Sequence, residues 1–312
     1  MGMVNAEILA KADFQLSDLR TDGGALSESK ANQFIQRATV GVPLLEAART
    51  TSQKAIIDKV PKIRLIGPIM HRSTDGEALA VDDRSKPTTS EVEITTTEFK
   101  AEIDITDGTL LENVQGNTFL NLVEQMAPKQ IGIDTQNIMI KGDTTSTTFD
   151  FAAFDGCREL VTSHTVDCSG AALSEDKMFE AIDAIPEEFS GMLDNYVFAM
   201  ARRVQLLYQK ELYSRDGAFG ALMLQQRDGV PIGGVKFKVI PGWPATLGMT
   251  ANRSDMLLVD WKNFIISYWR TITFERERMP RAGKTALIFT LRVGCQYEEE
   301  EAVVKLEDIL AA

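Results

Sequence analysis

Two histidines, three cysteines and one run of glutamates are the side chains in this 312-residue sequence that could offer acid–base, nucleophilic or metal chemistry. His71 and His164 fall in no HExxH or Cys/His ligand pattern, and both read as loop histidines that are exposed or hydrogen-bonded. Cys157, Cys168 and Cys295 are odd in number and lack metal-ligand spacing. They read as small, reduced, partly buried residues in a cytoplasmic setting. Glu298 to Glu301 are consecutive, whereas paired carboxylates that share acid and base roles converge from different elements. That run reads as a solvated strand edge or loop. No GxSxG, no GxxxxGK[ST] and no GxGxxG after a strand occurs, and Gly23-Gly24 and Gly233-Gly234 lie in turn-like surroundings without a lysine placed for phosphate. The sequence predicts no enzyme, no metal and no cofactor.

Composition points the same way. The chain carries 44% hydrophobic and 25% charged residues, which is ordinary for a globular protein and excludes wholesale disorder or a disulfide scaffold. Its length suggests about two domains. Lys and Arg total 33 against 45 Asp and Glu, a net charge of -12. Such a surface repels phosphate backbones, so nucleic-acid readout is disfavoured. The first twenty residues carry acids early and no apolar run, so no signal peptide is expected, and Ala6 argues against myristoylation at Gly2. No stretch approaches the roughly 18 apolar residues that a membrane span needs. The chain reads as soluble.

The elements that must position any site read as α+β. Residues 1–50 are polar and weakly periodic, with short amphipathic pieces at Ser29–Thr39 and Val42–Ala48, and suggest an arm that orders against a partner. VPKIRLIGPIM (60–70) reads as a strand interrupted at Gly67-Pro68. EVEITTTEFKAEIDIT (91–106) alternates on one parity at Val92 and Ile94 and on the other at Phe99 to Ile105. A bulge or bend between them accounts for the shift. The polar, breaker-rich span 71–91 is then a projecting loop between two long strands. A helix over about 116–141, kinked at Pro128 and stopped by Gly142, is predicted next. Ser174 caps a second helix, a strand at Tyr196–Met200 leads into a third, and strands follow at Val235–Val239 and Met256–Val259. Phe264, Ile265, Tyr268 and Trp269 suggest a helical piece. Leu287 to Cys295 alternate as a strand, and Val303, Val304 and Leu306 read as its partner.

This order of parts resembles the major capsid protein family of tailed bacteriophages, the HK97-like fold. The resemblance spans about residues 30–308. It rests on ITTTEFKAEIDIT followed by a long helix ending in KGD, on NYVFAMARRVQLLYQ with GVPIGGVKFKVIPGWP, and on the stretch from SDMLLVDWKNF to EEEEAVVKL. It implies an N-terminal arm (1–55) and an extended loop with its strands (63–105, tip about 71–91). It also implies a peripheral domain (106–160 and 285–312) with a spine helix, and an axial domain (161–284) whose central sheet is flanked by helices. Pro128 and the short N-terminal segment depart from the family pattern. The second departure suggests a separate scaffolding protein or an already processed chain.

The resemblance implies a structural subunit that assembles with copies of itself, through hexamers and pentamers, into an icosahedral shell around double-stranded DNA. Scaffolding and portal partners, a decoration protein and a place in the virion capsid, built in the host cytoplasm, are implied with it. Two alternatives are a nanocompartment of the encapsulin type and a soluble α+β enzyme. The loop tip is acidic at Asp75, Glu77, Asp82 and Asp83. FERERMPRAGK offers Arg276, Arg278, Arg281 and Lys284. These two sets are the candidate inter-subunit contacts.

Overall fold

A computed structural model describes residues 42–53, 57–65, 69–72, 86–106, 117–214, 231–247 and 252–311. The short amphipathic piece at Ser29–Thr39 and the acidic tip residues Asp75, Glu77, Asp82 and Asp83 lie outside them. The described chain is α+β and rich in sheet.

Two sheets form the body. The first has strand order β1-β9-β10-β4, with β1 at Arg49–Ser52, β4 at Thr97–Thr106, β9 at Phe264–Met279 and β10 at Lys284–Tyr297. The second has order β5-β11-β8-β6-β7, from β5 (Thr165–Asp167), β6 (Val197–Met200), β7 (Lys236–Val239), β8 (Arg253–Val259) and β11 (Val304–Leu310). A separate antiparallel ribbon pairs β2 (Ile57–Leu65) with β3 (Pro87–Thr95). The helices are α1 (Pro43–Ala47), α2 (Asn117–Lys141), α3 (Glu175–Asp183), α4 (Glu187–Ser190) and α5 (Arg202–Ser214).

Local chemistry explains these boundaries. Ser174 accepts a hydrogen bond from the Lys177 N–H, and Glu175 and Asp176 sit in the first turn of α3, where the helix dipole favours them. α5 buries Val204, Tyr208 and Leu212 at helical spacing beneath the second sheet. α2 runs through Pro128 as one 25-residue helix. It ends where Gly142 lets the following segment cross close by: the Gly156 N–H donates to the Gly142 carbonyl at 2.9 Å and the Cys157 N–H to the Met139 carbonyl at 2.7 Å. A Cβ on Gly142 would lie 2.5 Å from the Phe154 carbonyl.

One core runs through both sheets, from Leu44 and Leu45 through Met139 and Ile140 to Phe198, Phe264 and Val304. The end of the segment expected to be an arm is therefore part of the body. Val42, Leu44 and Leu45 are buried, and Gln136 on α2 ties them down. Its Oε1 accepts from the Leu44 N–H at 3.2 Å while its Nε2 donates to the Pro241 carbonyl.

Two expectations are corrected. Phe264 to Trp269 is not helical but opens β9, because Phe264, Ile265 and Ile266 are all fully buried. A strand covered on both faces has no alternation to mark it. β11 does not pair with β10 but joins β8 and β5 in the second sheet. Sheet membership therefore places 304–310 with the segment 165–259, and 264–279 with β4 and β10.

The parity change between Ile94 and Phe99 has a structural cause. The chain bends at buried Thr96, leaving the ribbon as β3 and entering the first sheet as β4, which pairs with β10 from Thr97↔Val293 to Thr106↔Lys284.

Candidate assembly surface

The ribbon has two chemically distinct faces. Residues directly opposite in its register share a face, so Ile57, Pro61, Ile63 and Leu65 lie on one side with Thr95, Glu91, Thr89 and Pro87. That side is open, with Ile63 75% and Leu65 52% exposed. Ile69 and the almost fully exposed Met70 follow just beyond. The other side turns Lys62 and Arg64 onto the body. Lys62 pairs with Glu299 at 3.1 Å and donates to the Glu298 carbonyl, and Arg64 pairs with Glu188 on α4. At its root, Val60 packs with Val92, Ile94 and Ile265. Two strands alone are marginally stable, so these tethers and this small cluster set the ribbon's direction. The outward row of large aliphatic side chains is an exposed apolar patch of the kind that interaction surfaces present.

The glutamate run is a set of tethers. Glu298 pairs with Arg49 at 2.8 Å and Glu299 with Lys62. Glu300 accepts from the Thr162 and Ser163 N–H groups at 2.6 and 2.8 Å and from the Ser163 hydroxyl. Burial alone would raise the Glu300 carboxyl. The hydrogen bonds from Ser163 and Thr162 together outweigh it and hold the group below its usual value near 4.5. A depressed carboxylate contributes stability above its unfolded pKa and loses it as pH falls through the folded one. Glu300→Gln is therefore expected to cost about 1 kcal/mol at neutral pH, discounted for exposure, and almost nothing in acid. Urea unfolding of both chains at the two pH values checks this; an equal cost at both would contradict it.

The basic candidates fall on different faces. Across β9 and β10 the register runs from Met279↔Lys284 to Phe274↔Phe289 without a break. Arg276 and Arg278 therefore share a face with Phe274, Leu287 and Phe289, and extend past that apolar cluster. Lys284 lies on the opposite face, with Glu275, Glu277 and Asp104. It is already paired with Asp104, and that hydrogen bond raises its pKa above the usual 10.5. Arg281 is exposed in the turn between β9 and β10, closed by the Ala282 N–H on the Met279 carbonyl. Arg276 and Arg278 are brought together; Lys284 stands apart.

Sequence reading missed Ile63, Leu65, Lys62 and Arg64. The signal was present in KIRL, where charged and aliphatic residues alternate. In a sheet half-buried by its own chain the aliphatic side turns inward; here it turns outward.

No described group of His, Cys, Asp or Glu could hold a metal ion, and no described helix is long and apolar enough to cross a membrane. Cys157, Cys168 and Cys295 are free and buried. Burial pushes the Cys168 thiol to about 11 and the other two higher, so none is an activated nucleophile. His71 is exposed, and the His164 carbonyl accepts from the Lys305 N–H.

Between α2 and the first sheet lies a groove of about 310 Å³. Its floor includes Phe99, Ile131, Ile272 and Phe289, and Asp134, Asp150 and Lys100 stand at its rim.

No family model matches the chain. A curated relative described as "Putative prophage capsid protein YqbE", from Bacillus subtilis (strain 168), is 29% identical over 311 residues, 97% of this chain and 98% of the relative. Among solved structures, the satellite phage P4 procapsid that includes the size determination (Sid) protein aligns at a TM-score of 0.67. It is 14% identical over 98% of this chain and 95% of that one. The capsid of the native GTA particle (TM-score 0.60, 15% identity, 88% and 90%) and the capsid of Myoviridae phage XM1 (0.55, 15%, 86% and 92%) align similarly. The chain has the mixed α+β fold of the phage capsid proteins and, along nearly its whole length, resembles the major capsid protein family of tailed phages.

Proposed function

We propose that this chain is the major capsid protein of a tailed phage or prophage, assembling through hexamers and pentamers into an icosahedral shell that encloses double-stranded DNA. The observation that carries the reading is the ribbon's outward aliphatic face, which the described body leaves uncovered while its charged face is tied down. A neighbouring copy is the partner such a face fits. Burying the exposed parts of Ile63 and Leu65 there contributes about 1–2 kcal/mol each, and every subunit repeats the contact. Resemblance supports the remaining partners: a scaffolding protein, a portal complex and a decoration protein. In the same reading the residues before Val42 form the arm, the β2–β3 ribbon the extended loop, α2 the spine helix of a peripheral domain, and the second sheet the axial domain's centre.

The acidic tip (Asp75, Glu77, Asp82, Asp83) reaches the basic end of a neighbour's β9–β10 pair at Arg276, Arg278 and Arg281, while Lys284 is engaged by Asp104. Such exposed pairs contribute about 0–1 kcal/mol each and mainly set register. The net charge of -12 suits an inner wall along which packaged DNA slides without binding.

Size-exclusion chromatography and negative-stain imaging, with scaffold or crowding agent where needed, test this. The parent chain is expected to give shells or capsomer rings. Ile63→Asp with Leu65→Asp is expected to leave a folded monomer. Arg276→Glu with Arg278→Glu and Arg281→Glu is expected to give malformed shells at low salt. A parent chain that stays monomeric under all conditions would overturn the reading, and normal shells from the arginine variant would remove the tip contact alone.

A further inference from the structure

We infer that α3 of one copy docks against α5 of a neighbouring copy. The inference rests on the capsid reading, since it takes the partner to be a second copy of this chain. α3 presents Asp176, Phe179 and Asp183 at i, i+3 and i+7, on the face away from buried Met178 and Ala181. α5 presents Arg203, Leu206 and Lys210 at the same spacing, away from buried Val204, Tyr208 and Leu212. All six are exposed, Phe179 by 54% and Leu206 by 50%. Each stripe is thus one large apolar side chain between two like charges, with opposite signs on the two helices. Seven residues span about 10.5 Å on either helix. Laid side by side in the same direction, the stripes set Asp176 against Arg203, Phe179 against Leu206 and Asp183 against Lys210.

Folding within one chain does not account for these charges. Asp183 ends α3 and Arg203 lies in the first turn of α5, each at the helix end where the macrodipole disfavours its sign. None of Asp176, Asp183, Arg203 and Lys210 forms an ion pair with another described residue, whereas Glu180 on α3 is taken by Lys177. Within one chain α3 and α5 meet on their inner sides, where the Tyr208 hydroxyl donates to Glu175 at 3.5 Å. The two stripes are therefore left to a partner, and opposite charges at matched spacing fix its orientation and register. Beside Phe179 the Gly233-Gly234 turn forms a shelf without side chains. A Cβ on Gly233 would lie 3.8 Å from the Phe179 ring, and nothing lies within 4 Å of one on Gly234. A neighbour's Leu206 has room there to cover the ring.

The test uses full-length chains and reads out whether or not shells form. A Phe179→Cys chain is mixed with a Leu206→Cys chain lengthened by a tag, oxidised, and resolved by non-reducing electrophoresis. Cys157, Cys168 and Cys295 are buried and stay out of the exchange. The mixed dimer is expected to exceed either homodimer at least about fivefold, since docking raises the effective concentration of the two thiols. Asp176→Lys with Asp183→Lys in the first chain should slow the mixed dimer by a similar factor, and Arg203→Glu with Lys210→Glu in the second should restore it. A statistical mixture of dimers, no dimer at all, or a rate indifferent to these four charges would overturn the contact. Shells from the parent chain beside a statistical mixture would remove the contact and leave the capsid reading standing. A charge-dependent mixed dimer from chains that never form shells or rings would support the contact and count against the capsid reading.

Discussion

Replacing Asp255 by alanine is expected to destabilise the unassembled chain by about 3–5 kcal/mol, among the largest effects any single side chain here should have. Asp255 lies on β8 and is 1% exposed. One carboxylate oxygen accepts from Arg158 Nε at 2.5 Å and the other from Trp243 Nε1 at 2.9 Å. Arg158 is itself buried; among the described residues its other carboxylate neighbours are Glu159 at 3.6 Å and Asp143, close enough to feel its charge. Removing the Asp255 carboxylate leaves a buried guanidinium with only the weaker counter-charges of Glu159 and Asp143. The indole N–H keeps only the Asp255 carbonyl, at 3.0 Å. The cost is that of a stranded charge, not the net worth of the pair. Arg158→Met with Asp255→Leu should therefore lose much less than Asp255→Ala alone. Urea unfolding of all three chains decides it. The comparison belongs on unassembled protein, since assembly stabilises the folded state by mass action. A loss under about 1 kcal/mol for Asp255→Ala would mean the pair is solvated like a surface bridge.

This cluster also explains what sequence could and could not reveal. Nothing in the string around Arg158 or Asp255 distinguishes them from solvated charges. They meet only because Gly142 and Gly156 let the segment after α2 fold back to within hydrogen-bonding distance of Met139. Where one face is wet, the pattern was legible. β10 alternates from Leu287 to Cys295, α3 is announced by Ser174, and the parity change after Ile94 marked a real bend. Where both faces are dry, the pattern vanished. Phe264 to Tyr268 is buried at every residue and carries no period, so strand and helix were indistinguishable there. Strand partners were illegible for a related reason. Val303 to Leu306 reads as a strand, but whether it joins β10 or β8 depends on the turn at Glu300, whose carboxylate is held by Thr162 and Ser163. Of the candidate surface, the charges at Arg276 to Lys284 were visible as a cluster. Their division between two faces needed the register.

Gly294→Val is expected to damage assembly more than folding. Gly294 lies on β10 opposite Ser267, directly under the bend where β3 becomes β4. A Cβ there would stand 2.2 Å from the Thr95 carbonyl oxygen and 3.2 Å from the Thr96 Cα, both backbone atoms that cannot rotate away. The bend must therefore lift off the sheet. The body can absorb this at about 1–3 kcal/mol, because the bend itself packs in the small cluster of Val92, Ile94 and Ile265, whereas Val293 and Cys295 beside Gly294 stay anchored in the main core. The ribbon cannot. Its direction depends on the small root cluster of Val60, Val92, Ile94 and Ile265 and on the Lys62 and Arg64 tethers. A shift at the root is carried along the strands to Ile63 and Leu65. On the proposed reading those side chains then miss the surface of the neighbouring copy while remaining just as apolar, so misassembly or aggregation is expected in place of a soluble monomer. Gly191→Ala is the matched control, since nothing lies within 4 Å of a Cβ there. Negative-stain imaging and urea unfolding of the two variants make the test. Normal shells from Gly294→Val with parent-like stability would show that the ribbon's direction is not set where the chain crosses β10, and would shift that role to the charged tethers.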